Sequence, residues 1–186
     1  MGEIGADARL DQYLPLSLAR AEIARHFTLT ETDYQTGGPA RYFTVEEKDY
    51  VAICPRLAYG RYLMVRQYRP PIEQLVWEFP SGALDPGETP AAAVDRELYE
   101  ETGHRAHRLV ALGTYHADPG RLTNRGHVFF GAVAPAEGWQ PEPGVAVARV
   151  TAAEIDAMIA DGRFTHMQHI GLWLMVKTAG VADETE

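Results

Sequence analysis

Residues 82–104 read Gly82-Ala-Leu-Asp-Pro-Gly-Glu88-Thr-Pro-Ala-Ala-Ala-Val-Asp-Arg96-Glu97-Leu-Tyr-Glu100-Glu101-Thr-Gly103-His104, and this stretch decides the fold. Thr89 can cap a helix whose first residue is Pro90, where the missing N–H is harmless. Gly103 can end the helix in a left-handed conformation. At 3.6 residues per turn Glu97, Glu100 and Glu101 project to one side, while Ala93, Val94 and Leu98 face a core. Like charges at i, i+3 and i+4 destabilise an isolated helix, a penalty that a divalent cation removes. Oxygen-only donors of this kind suit Mg²⁺ or Mn²⁺, and both cations suit a substrate that carries phosphates.

Working outward, Arg41–Val45, Asp49–Cys54, Tyr62–Tyr68 and Gln74–Phe79 read as strands, punctuated by turn signals at Gly37-Gly38-Pro39 and Tyr59-Gly60. Beyond the acidic helix, Leu109–Tyr115 and His127–Val133 read as paired strands around a loop from Ala117 to Gly126. A Pro- and Gly-containing loop, Ala134–Gly144, leads to a strand at Val145–Val150. A helix capped by Thr151 and a last helix from about His166 to Thr178 follow. A short helix is expected within residues 1–26. Strands before and after one central helix, with helices at the end, imply an α/β fold in which helices cover both faces of a mixed sheet.

The chain has 186 residues, 46% hydrophobic and 23% charged, which fits one soluble globular domain. A net charge of −9 argues against nucleic acid as a partner, since a phosphate backbone calls for a basic face. Cys54 is the single cysteine, so no intramolecular disulfide can form. No stretch is apolar enough to span a membrane and the N-terminus lacks a signal-peptide pattern, so the expected compartment is the cytoplasm.

The stretch 82–104 resembles the Nudix box, G-x5-E-x7-R-E-U-x-E-E-x-G-U with U a bulky aliphatic residue. Every fixed position matches except the last, where His104 replaces the aliphatic side chain. The resemblance implies a Nudix α/β/α sandwich with a mixed β-sheet between helices. It also implies cleavage of a nucleoside diphosphate linked to another moiety, by attack of water on phosphorus. The organisation expected is an N-terminal extension over residues 1–40, a Nudix hydrolase domain over 41–180 and a tail over 181–186.

By the same resemblance Glu97 and Glu101 are the main ligands of Mg²⁺ (or Mn²⁺). Glu100 completes a further ion site, the backbone carbonyl of Ser81 is also a ligand, and Arg96 orients Glu97 or Glu100. Gln67-Tyr68-Arg69-Pro70, Trp77-Glu78-Phe79-Pro80-Ser81-Gly82 and Pro119 resemble the ADP-ribose pyrophosphatase branch. That branch points to ADP-ribose or a related nucleoside diphosphate sugar, and to a homodimer built through N-terminal strands. Arg69 is a candidate phosphate or ribose contact, because guanidinium forks match phosphate oxygens. Arg41 is read equally as a nucleotide contact and as a surface arginine. Trp77 is a candidate for stacking on a base, although aromatic residues in strands are more often core. Arg121 and Arg125 lie in a loop able to close over a diphosphate.

For the general base, Glu142 is preferred to Glu137 because it immediately precedes a strand, with Glu100 or Glu101 as alternatives. His166 and His169 are three residues apart, but with no third ligand nearby in sequence they read as polar residues at a helix start. Competing functions are a Nudix hydrolase of GDP-mannose, a dinucleoside polyphosphate or an oxidised nucleotide. A Nudix-fold module that senses a nucleotide sugar is a further reading, although such modules usually lose box carboxylates and all four are present here.

Overall fold

The computed structural model describes residues 28–32 and 42–182. The helix expected within residues 1–26 lies outside that range, as does Arg41. Nine strands and three helices are described: β1 (Thr28–Thr32), β2 (Tyr42–Glu46), β3 (Tyr50–Arg56), β4 (Arg61–Arg69), β5 (Gln74–Glu78), β6 (Ser81–Ala83), α1 (Pro90–Thr102), β7 (His104–Tyr115), β8 (Gly126–Pro135), β9 (Val145–Thr151), α2 (Ala152–Ala160) and α3 (Met167–Ala179). β1 and β2 pair with each other as a separate antiparallel ribbon. The main sheet runs β5-β4-β3-β8-β7, with β6 added to β3 and β9 to β4. β3 and β8 are parallel and the other pairings are antiparallel, so the sheet is mixed, as expected.

Strand periodicity divides the core in two. Successive side chains on a strand point to opposite faces. Val51 and Ile53 of β3, Leu63 of β4 and Phe129 of β8 therefore pack with Ala93, Val94 and Leu98 of α1. Their neighbours Ala52, Cys54, Tyr62, Met64, Val128 and Phe130 pack on the other face with Ile155 and Met158 of α2 and Leu172, Trp173 and Val176 of α3. Because both faces are covered, β3 reads as a continuous apolar run rather than an alternation. Cys54 is filler in this second core, and burial pushes its thiol pKa up.

The helix ends follow from local chemistry. Thr89 Oγ1 accepts from the Ala92 N–H at 3.3 Å, and Gly103 closes α1 at φ 71°. Thr151 and Glu154 form a reciprocal capping box on α2.

Two expectations need revision. β7 begins at His104 directly after Gly103, not at Leu109. Its first inward residues are His104 and Ala106, so no large apolar alternation announces it. β6 was not anticipated, since three residues give no periodicity to read.

Candidate active site

The acidic face of α1 is built around Arg96. Its Nε and Nη2 each donate to Glu88 at 3.1 Å, while Nη1 reaches Glu97 at 2.7 Å and Glu100 at 3.1 Å. Nη2 also donates to the Ala83 carbonyl at 3.2 Å, tying the helix to β6. One guanidinium thus gathers three carboxylates, and its own pKa is driven up, chiefly by the bond to Glu88. The Glu97 carboxyl lies directly against Gly82, where a Cβ would fall 2.1 Å from it. A side chain at position 82 would eject that carboxylate, which is a physical reason for the glycine.

Glu101 is placed differently. It is 5% exposed and, among the described residues, receives a single hydrogen bond, 3.2 Å from the Ser81 N–H. Burial pushes its pKa up to about 8, against the help of that bond, and the charges of Glu97, Glu142 and Glu78 add to the rise. Burial likewise raises Glu97, with Arg96 opposing and Glu100 and Glu142 reinforcing.

The ladder of β6 explains why Ser81 faces this cluster. Ile53 donates to the Pro80 carbonyl and Leu84 to the Asp49 carbonyl, so positions 80, 82 and 84 bond towards β3. In an antiparallel ladder the alternate residues turn both N–H and C=O away. Ser81 and Ala83 are those residues, and they meet Glu101 and Arg96. The Ser81 carbonyl is directed to the same side as its N–H. Backbone oxygen and the carboxylates of Glu97 and Glu101 are therefore brought together beside β6. That donor set, oxygen-only and electron-rich, fits Mg²⁺ or Mn²⁺.

Glu142 lies in the loop over residues 136–144 and is exposed. Partial desolvation raises its pKa, and the charge of Glu100 adds to this. Its charge is felt in turn by Glu97 and Glu101. The Glu137 side chain is exposed, and its backbone carbonyl accepts from the Tyr99 hydroxyl at 3.1 Å.

A cavity of about 610 Å³ adjoins the cluster, lined by Ser81 and Gly82 on one side and by Arg69, Lys48, Tyr50 and His166 on others. Arg69 is clamped across the β4–β5 hairpin: its Nε donates to Glu78 Oε1 at 2.8 Å and its Nη2 bonds the second oxygen. Glu78 is fully buried and also accepts from Gln67 at 3.3 Å. The guanidinium edge left over faces the cavity, 40% of the side chain being exposed. Glu78 is the functional-looking residue that sequence reasoning passed over. Only the strand register reveals its pairing with Arg69.

His166 and His169 stack at 3.9 Å, and Glu78 supplies the third potential ligand that sequence could not locate. Two of the three are nevertheless committed elsewhere. His169 Nδ1 accepts from the Phe79 N–H at 3.1 Å, which puts the ring proton on Nε2, and both Glu78 oxygens are bonded to Arg69. A metal there would have to displace a guanidinium from a buried carboxylate. Burial holds the His169 imidazole neutral, its pKa well below the usual range. It serves as a buried strut between α3 and the strand end that leads to Ser81.

Several sequence candidates are corrected by the geometry. Trp77 is 7% exposed and belongs to the core facing α2 and α3, so it does not line the cavity. The guanidinium of Arg66 lies over its ring at 5.4 Å. Arg125 donates from Nε and Nη2 to one oxygen of Asp49, at 3.0 and 2.8 Å, and so is occupied in holding its loop. The Arg121 side chain is exposed outside the cavity, while its loop neighbours Ala117, Leu122 and Asn124 line it. His104, at the one departure from the box, donates from Nδ1 to the Thr102 carbonyl at 2.8 Å and so satisfies an orphan of the helix end.

Comparison with known proteins agrees with this architecture. The family model described as "NUDIX domain" matches residues 47–169. The ADP-ribose pyrophosphatase of Bacillus subtilis (strain 168) is 32% identical over 99 residues, which is 53% of this chain and 54% of that protein. A segment of 47 residues is 68% identical to the GTP 3',8-cyclase of Rhizobium etli (strain CIAT 652), covering 25% of this chain but 13% of that one. The chain thus spans about half the length of one curated relative and a small part of the other. A solved structure described as an ADP compounds hydrolase superposes with a TM-score of 0.73 at 23% identity, covering 92% of this chain and 95% of that one. Its likeness establishes the fold.

Proposed function

The chain belongs to the NUDIX domain family, and on that footing we propose that it is a pyrophosphohydrolase of ADP-ribose or a related nucleoside diphosphate sugar. The products are a nucleoside monophosphate and a sugar phosphate. The observation that carries the reading is the acidic face of α1, where Glu101 is buried on the Ser81 N–H and Glu97 lies against Gly82, beside a cavity lined by Ser81, Gly82 and Arg69. The name of the Bacillus subtilis relative supports the choice of substrate.

In this reading Glu97, Glu100, Glu101 and the Ser81 carbonyl would hold Mg²⁺ or Mn²⁺, which supplies neutralisation of the diphosphate and acidifies bound water. Arg96 holds Glu97 and Glu100 at fixed angles. Arg69, itself fixed by Glu78, binds a phosphate or ribose oxygen with its free edge. Glu142 takes the proton of the attacking water as its oxygen bonds to one phosphorus. The bridging P–O bond breaks and its electrons leave with the other phosphate. A base with a raised pKa suits this task, because the acceptor works best near the operating pH. The reading takes the enzyme as cytoplasmic and homodimeric, with residues 1–40 contributing to the dimer. Sedimentation of the full chain tests the dimer.

The deciding experiment is hydrolysis of ADP-ribose with Mg²⁺ in ¹⁸O-labelled water. AMP and ribose 5-phosphate should appear in equal amounts, with label on one of them. Pyrophosphate released from a nucleoside triphosphate, with ADP-ribose left intact, contradicts the substrate assignment.

A further inference from the structure

The loop that carries Glu142 is fastened to the C-terminal end of α1 at three points. The Ala136 N–H donates to the Gly103 carbonyl at 2.8 Å, and the Tyr99 hydroxyl to the Glu137 carbonyl at 3.1 Å. The indole Nε1–H of Trp139 donates to the Glu100 carbonyl at 2.9 Å. That carbonyl is one of the four that a helix end leaves without an intrahelical donor, so it is free to accept from outside. Gly103 makes the approach possible. A Cβ there would fall 2.6 to 2.8 Å from three carbons of the Trp139 ring. The glycine therefore provides room for the indole as well as the left-handed helix end. Tyr99 is itself steadied by the Arg105 guanidinium, 4.4 Å over its ring, and Arg105 is paired with Asp95.

Glu142 lies three positions after Trp139, enough chain for the carboxylate to swing by up to about 10 Å if the indole were free. On the other side Val145 enters the β9 ladder opposite Gln67, and its N–H bonds the Glu142 carbonyl at 3.2 Å. Trp139 and Val145 thus bracket Glu142. The last bracket before it is an indole whose hydrogen bond goes to the backbone of a residue whose side chain belongs to the acidic cluster.

We propose that Trp139 is a positioning residue: through its bond to the Glu100 carbonyl it holds the loop that carries Glu142 at the C-terminal end of α1. This rests on the reading of Glu142 as the base. Trp139 contributes to turnover and not to substrate binding.

The test is a double-mutant cycle on the full chain with ADP-ribose and Mg²⁺. Trp139→Phe keeps a ring over Gly103 and removes the N–H. Its kcat should fall about tenfold with KM within about twofold, the size of one misplaced hydrogen bond. Glu142→Gln alone should fall about 10²–10⁴-fold. Adding Trp139→Phe to it should change nothing further, because the residue that Trp139 positions no longer takes the proton. Wild-type kcat in Trp139→Phe overturns the proposal. So does the same tenfold loss in the Glu142→Gln background, which marks a general structural role. Should Trp139→Phe fail to fold, Tyr99→Phe removes the neighbouring fastening and is judged by the same cycle. A fully active Glu142→Gln enzyme overturns the base assignment itself, and is recognisable as such before any Trp139 variant is made.

Discussion

Two buried glutamates, Glu78 at the end of β5 and Glu101 on α1, have opposite electrostatic surroundings. Glu78 is fully buried, yet Arg69 grips both of its oxygens and Gln67 adds a third bond. Glu101 is buried almost as deeply and receives one backbone N–H. A buried carboxylate without a cation is costly and normally neutralises by taking up a proton. The protein supplies the cation at Glu78 from its own sequence. At Glu101 the charges of Glu97 and Glu142 add to the cost of burial instead. The first arrangement positions an arginine for substrate, and the second is suited to an exchangeable metal ion.

The contrast breaks most sharply under substitution. Glu101→Gln should lower turnover by about 10³-fold or more, since several kcal/mol of transition-state charge stabilisation depend on the ion site. In the metal-free protein the same change should leave the melting temperature unchanged or higher, because it removes a buried acid crowded by other carboxylates and keeps an oxygen for the Ser81 N–H. Glu78→Gln should do the reverse to stability. It replaces one of the two accepting oxygens with an NH₂ that faces a donor and removes the charge opposite Arg69, at a cost of about 1–3 kcal/mol, softened because Arg69 can turn to water. Calorimetric melts of both variants in EDTA check the pair. Equal destabilisation by the two would erase the distinction.

A smaller effect sharpens it through pH. Glu101 has a folded pKa near 8, above its ordinary value of 4.5. The folded state then binds more protons than the unfolded state between those values, so stability falls as pH rises across that window. Metal-free protein should therefore lose melting temperature from about pH 5 to about pH 8, and Glu101→Gln should flatten the slope. Smallest of all, Arg69→Lys should raise KM for ADP-ribose by about tenfold with kcat little changed, since an ammonium cannot grip Glu78 in bidentate fashion and face the cavity together. A change confined to kcat would move Arg69 out of substrate binding.

What the sequence made legible was local. The helix over 90–102, its Thr89 cap, its Gly103 stop and its core residues Ala93, Val94 and Leu98 all follow from spacing within one element, and the structure has them so. The alternation of β3 between two cores is also implicit in its unbroken apolar run. What stayed hidden depends on register and distance. Gln67 and Arg69 reach Glu78 only because β4 and β5 pair with Val65 opposite Glu78. His169 meets Phe79 across 90 residues, and Trp139 meets Glu100 across 39. Trp77 was misjudged because an aromatic residue in a strand does not announce which face it takes. The short strand at Ser81–Ala83 carries no periodicity, although it turns Ser81 towards the carboxylates.

The central claim is that the place beside Glu101 takes a divalent cation that the protein's own side chains do not replace. Thermal unfolding at pH 7 with increasing Mg²⁺ or Mn²⁺, run in parallel on the wild type and on Glu101→Gln, tests it most directly. The wild type should gain melting temperature saturably with either ion, and Glu101→Gln should gain little or none. A wild-type melting temperature indifferent to both ions, together with full hydrolysis in EDTA, would contradict it.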